Sequence, residues 1–135
     1  MRSPGQALVE LAVSLPVMLI LAFGAAQFVR VAITRSGLDA ATAAAAAAAA
    51  RAPSSSSATT AANSAFSAVT TGDGLDSPGL ALRLGGFQRG AIVTATGRAT
   101  VSLGFSGSPA LRGTLRLQST ASARVEDWRS RALTP

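Results

Sequence analysis

Cysteine and histidine are both absent from the 135 residues. Without cysteine there is no disulfide framework, thiol nucleophile, iron–sulfur site or cysteine-ligated zinc. Without histidine the commonest general base and metal ligand is gone as well. Tyrosine and lysine are missing, and the aromatic content is five Phe and one Trp. A Walker loop needs its Lys, so the glycines of "LGGFQRG" cannot serve as one. "GFSGS" has the outline of a nucleophile elbow, but a serine there has no histidine to activate it. No serine has a triad context. The expectation is a protein that is not an enzyme and that takes no cofactor and no metal.

Arginine carries all of the positive charge: twelve Arg against six acids leave a formal net charge of +6. Arg83, Arg98, Arg116 and Arg124 fall on alternate positions of strand-like stretches. They raise the possibility of a basic stripe for nucleic acid or an anionic surface. No aromatic residues are interleaved with them, and an Arg-only chain uses Arg as its general solubilising residue. Glu126 and Asp127 beside Trp128, Arg129 and Arg131 read as a solvated tail with local ion pairs.

The long uncharged run is the strongest feature. Glu10 is the only charge between Arg2 and Arg30, and "LAVSLPVMLILAFGAAQFV", Leu11 to Val29, has none. Crossing about 30 Å of hydrocarbon takes roughly 20 helical residues. This run is long enough to span, and longer than a secretory core of roughly 7–15 residues. Pro16 removes a backbone donor and predicts a kink. Three readings compete: a secretory signal cut near "GAAQ" (Gly24 to Gln27), a plain single-pass anchor, and a pilin-type segment that spans the membrane and later packs in a filament core. The flanking charges oppose an exported C-terminal part, since Arg30, Arg35 and Arg51 outnumber Arg2 and the terminal amine.

Helical signal continues through eight consecutive Ala, Ala43 to Ala50. One helix from Leu8 to Arg51 would be about 65 Å long. "PSSSSATT", Pro53 to Thr60, reads as a break and flexible connector, and "AANSAFSAVT" as a short helix with Phe66 and Val69. "TGDGLDSPG", Thr71 to Gly79, reads as a turn-rich loop. Asp73 and Asp76 lack the further ligands of a calcium loop, so they are assigned to turn chemistry.

The period then becomes two. Leu80, Leu82 and Leu84 share one face. Val93, Ala95, Ala99, Val101, Leu103 and Phe105 alternate with Thr94, Thr96, Arg98, Thr100 and Ser102. Leu115, Leu117, Ala121, Ala123 and Val125 alternate with Arg116, Gln118, Thr120, Ser122 and Arg124. Three amphipathic strands with short loops predict an antiparallel meander. Its apolar face needs a cover, and the Ala-rich helix is the only large candidate. The fold class is therefore α+β: a long N-terminal transmembrane and stem helix packed against a small three-stranded antiparallel sheet.

The start of the chain resembles the TadE-like family, the pseudopilins of tight-adherence (Flp-type) pili. A short leader ends in Gly5, "QALV" follows, and Glu10 opens the apolar helix "LAVSLPVMLILAFGAAQF" with its Pro16. Leu11 stands where major pilins of this group carry an aromatic residue, which points to a minor pilin or pseudopilin. The resemblance implies three parts: a prepilin leader over 1–5, a transmembrane and stem helix over 6–52, and a small exported α+β head over 53–135. It implies cleavage between Gly5 and Gln6 by a prepilin peptidase, placing Glu10 fifth in the mature chain. An unpaired carboxylate is costly in an apolar bundle. The new amine of a neighbouring subunit at about 4 Å would offset this by about 4 kcal/mol at an effective dielectric of about 20. Glu10 would thus set the register between subunits. The implied partners are other pilins, the peptidase and the inner-membrane assembly platform. The implied location is the inner membrane, with a single pass, an exported head and possible incorporation in a surface pilus. The alternative is a single-pass or secreted basic protein that binds nucleic acid or an anionic surface.

Overall fold

The computed structural model describes residues 4–73, 75–104 and 113–125. Its elements are helix α1 (Pro4–Arg51), helix α2 (Ser55–Gly72), strand β1 (Asp76–Arg83), a 3-10 turn (Gly85–Phe87), strand β2 (Ile92–Leu103) and strand β3 (Gly113–Arg124). The strands form one antiparallel sheet in the order β1-β2-β3. The protein is α+β, as its two hydrophobic periods predict.

Helix α1 is 48 residues long, about 72 Å at 1.5 Å per residue. Helical structure continues on both sides of Pro16. The helix stops where Pro53 disfavours helical backbone at the residue before it. Arg51 sits in the last turn, where a cation complements the helix dipole.

The serine run is a helix start, which corrects the expectation of a flexible connector. Only Ala52–Ser54 separate the two helices. Ser54 caps α2 and forms a capping box with Ser57. The Ser57 amide donates to Ser54 Oγ at 3.3 Å, and the Ser54 amide donates to Ser57 Oγ at 3.0 Å. Each serine satisfies a backbone donor that a helix N-terminus leaves free. The expected short helix is thus the middle of an 18-residue one. The expected loop from Thr71 to Gly79 is also shorter than its composition implies. Thr71 and Gly72 close α2, and Asp76–Gly79 open β1. β1 is an edge strand, so Pro78 costs no interior ladder bond. The register slips between Asp76 and Gly79.

The upper part of α1 supplies six of the fifteen buried apolar residues among those described. Gly37, Leu38, Ala41, Thr42, Ala45, Ala46, Ala49 and Ala50 are buried along one stripe. Ala58, Ala62, Phe66 and Thr70 form the matching stripe of α2. Ten of the fifteen buried apolar residues among those described are Ala, so backbones approach closely and dispersion contacts replace bulky interdigitation. The Thr42 hydroxyl donates to Leu38 O at 2.7 Å and is satisfied inside this layer. The sheet closes the core with Val93, Ala95, Ala99 and Val125. At its centre lies Gly97. A Cβ there would collide with Thr42 Oγ1 and come within 3.0 Å of Leu38 and 3.2 Å of Phe66. Both helices meet the sheet at that glycine. At the far end Gly85, at φ 54°, makes the turn from β1; a Cβ there would lie 2.6 Å from Ile92 O.

Candidate functional site

The predicted processing and assembly residues all lie on the free part of α1. Gly5 sits in its first turn with open space around its Cα, and Gln6 and Glu10 are exposed. Glu10 has no ion-pair partner among the described residues. Ser14 turns its hydroxyl back to Glu10 O at 2.7 Å. Ala7, Glu10, Leu11, Ser14, Leu15 and Met18 line a shallow groove along one side of the helix. A carboxylate is therefore presented on an otherwise apolar and small-residue face.

Above it the helix is apolar on every side. Leu11, Val13, Leu15, Val17, Met18, Leu19, Ile20 and Leu21 are between 50% and 70% exposed. A single amphipathic stripe would face a protein core; apolar residues all round need lipid or several neighbouring helices. An 18-residue window here has mean hydropathy 2.2, and none of it is buried among the described residues. The helix is long and apolar enough to cross a membrane. Arg30 and Arg35, both exposed, mark its upper boundary.

The four sheet arginines reach the solvent face as their alternation predicts, but they do not form one stripe. The registers place Arg98 opposite Gln118 and Arg116 opposite Thr100 near one end. Arg83 lies opposite Thr94, and Arg124 opposite Ile92, near the other. The row of Ala81, Thr96 and Thr120 lies between these groups. No described aromatic residue joins this face: Phe66 is buried and Phe87 packs against the core.

Asp73 and Asp76 do different structural work. Asp73 is the C-cap of α2 and lies against Gly37. Asp76 opens β1 and accepts the Thr100 hydroxyl on its backbone oxygen at 3.3 Å. No cluster of three metal-ligating side chains occurs among the described residues. Phe105, most of "GFSGS", and Glu126, Asp127, Trp128, Arg129 and Arg131 lie outside the described residues.

Sequence reasoning missed Gly97 and the small-residue seam it completes. A glycine in the middle of an alternating strand is the signal that was available. It also missed Gln27 and Thr34, which are half-buried with Val31 on the face that continues down from Leu38.

Comparison with known proteins gives one match. The family model described as TadE-like protein matches residues 5–51, almost the whole of α1. No curated protein matches, and no solved structure does. The match joins Gly5, Glu10 and Pro16 to the Ala-rich stem as one TadE-like segment, and it leaves α2 and the sheet outside.

Proposed function

Taking α1 as a TadE-like segment, we propose that this chain is a membrane-anchored structural subunit of a tight-adherence pilus apparatus, acting as a minor pilin or pseudopilin. The observation that carries the reading is the coupling of Gly5 and Glu10 to an apolar helix whose membrane-length window is left uncovered by the other described residues. A helix in that state is built for lipid first and for other helices afterwards.

Among the described residues the head packs on the upper part of α1, and the apolar window below it is left for a bilayer or a bundle. The chain is held in the inner membrane with the head exported. A prepilin peptidase cuts between Gly5 and Gln6. That bond lies in the first helical turn, which frays readily, and Gly5 presents no side chain to hinder entry into a protease cleft. The new amine at Gln6 of one subunit then meets Glu10 of another, and this pair sets their axial register. An acid within a membrane segment is a functional candidate by default. Other pilins and the assembly platform are the partners this role requires.

Mass spectrometry of membrane-extracted protein tests the processing step. The expected N-terminus is Gln6. A terminus near Gln27 would mean a secretory signal, and intact Met1 a plain anchor. For the register step, Glu10→Ala is expected to insert normally and fail to assemble. Unchanged incorporation of that variant into pili would remove Glu10 from the mechanism.

A further inference from the structure

Five charged residues lie on α1: Glu10, Arg30, Arg35, Asp39 and Arg51. Their spacing contains a repeat. Arg35 stands one turn below Asp39, as Gln6, where cleavage would create the new amine, stands one turn below Glu10. The step from Gln6 to Arg35 equals that from Glu10 to Asp39, and it is about eight helical turns. The two positive positions therefore share one side of the helix to within about 20°, and so do the two negative ones. Arg30 and Arg51 lie about 140–160° around the helix from Arg35. Arg35 and Asp39 are exposed beside the stripe that the head covers, and neither has an ion-pair partner among the described residues. A cation one turn before an acid is the poorer order for pairing within one helix, so both charges are left for a neighbour.

Gly24 and Phe28 add a steric pair with the same spacing on the same side. Phe28 is 75% exposed, and Gly24 has open space beside its Cα. A parallel copy shifted up by one turn, about 6 Å, brings three pairs level at once: its Gln6 with Glu10, its Gly24 with Phe28, and its Arg35 with Asp39. Without the shift, Phe28 meets Phe28 and Arg35 meets Arg35. The two upper pairs both lie above Pro16, so a bend there leaves their relation intact.

We propose that this face of α1 docks against a second copy of the chain, parallel and one turn higher. Arg35 of the upper copy pairs with Asp39 of the lower one, and Phe28 of the lower copy seats over Gly24 of the upper one, where the missing side chain lets the helices approach. Each copy offers the lower member of every pair to one neighbour and the upper member to another. The contact is head-to-tail, so it extends along a row and does not close into a dimer. The inference rests on the reading that α1 spans the membrane, and only its lowest pair needs cleavage after Gly5.

The absence of cysteine makes a cross-linking test direct. Val17 and Leu21 lie on the same side of the helix and become level in the shifted pair. Val17→Cys and Leu21→Cys are placed in two differently tagged full-length chains, expressed together, and the membranes are oxidised. The mixed 17–21 disulfide is expected to exceed the 17–17 and 21–21 disulfides several-fold. It is also expected to exceed the 15–19 disulfide of the far side, from Leu15→Cys with Leu19→Cys. Arg35→Asp in the chain with cysteine at 17 is expected to lower the mixed yield several-fold, and Asp39→Arg in the other chain to restore it. A mixed yield no higher than the controls, in protein that resists alkaline extraction and begins at Gln6, overturns the shifted contact alone. A yield that the charge exchange does not move overturns the Arg35–Asp39 pair. A strong 17–21 disulfide in chains that keep Met1 sustains the contact and overturns the processing step. Loss of the protein from the membrane fraction overturns the spanning helix and this contact with it.

Discussion

The lower and upper parts of α1 are one continuous helix with opposite needs. From Leu11 to Leu21 large apolar side chains point to every side, and the described residues leave them exposed. From Gly37 upward the residues shrink to Ala, and one stripe is completely buried. The contrast shows that hydrophobicity does not by itself decide burial. Large side chains on every face cannot be covered by a head of this size, so they are left for lipid or for other subunits. Small side chains on one face let a second helix and a sheet close in, and little apolar area is needed once backbones are near.

That division gives separable consequences. The largest expected effect is in the head. Phe66 is one of the few bulky side chains in an Ala-dominated core, and Phe66→Ala is expected to cost about 3–5 kcal/mol. Urea unfolding of the detergent-solubilised protein would read this loss, while alkaline extraction would still find the protein in the membrane fraction. Ile20→Arg should do the reverse. A charge at mid-span costs about 2.5–3.5 kcal/mol of insertion on translocon scales, so membrane integration falls while the head's unfolding midpoint stays in place. If one variant damaged both properties, the two parts of α1 would not be independent.

Gly97→Ala sharpens the seam between them. Its Cβ meets Thr42, whose hydroxyl is already committed to Leu38 O. Overpacking of this kind costs about 1–3 kcal/mol, and Thr42→Ala in the same chain is expected to restore part of it. The smallest effect is at the cap. Ser54→Ala removes one half of the capping box and is expected to cost about 1 kcal/mol, seen as a small shift in thermal midpoint with insertion unchanged.

Much of the architecture was legible because its periods are simple. The uncharged run announced a helix long and apolar enough to cross a membrane. Alternation in "IVTATGRATVSL" placed Val93 and Ala95 inward and Thr94 and Arg98 outward, and the register bears this out. The serine run was misread because Ser and Thr serve linkers and helix caps alike. Only the spacing of Ser54 to Ser57, with an Ala-rich run behind it, separates the two. The start of β1 was hidden by Asp, Pro and Gly, which an edge strand tolerates. The sheet arginines were placed on the correct face, yet their grouping depended on strand register, which no single strand encodes.

By itself the sequence determined the membrane-length helix, the motif at its base, the three strands and the face each residue takes. These follow from residue size, charge and period, which are local properties. Tertiary structure alone decided that Gly97 is where both helices meet the sheet, and that the sheet arginines fall into two groups. Those outcomes depend on how α2 returns along α1 and on which rows of the sheet pair, contacts between residues far apart in the chain.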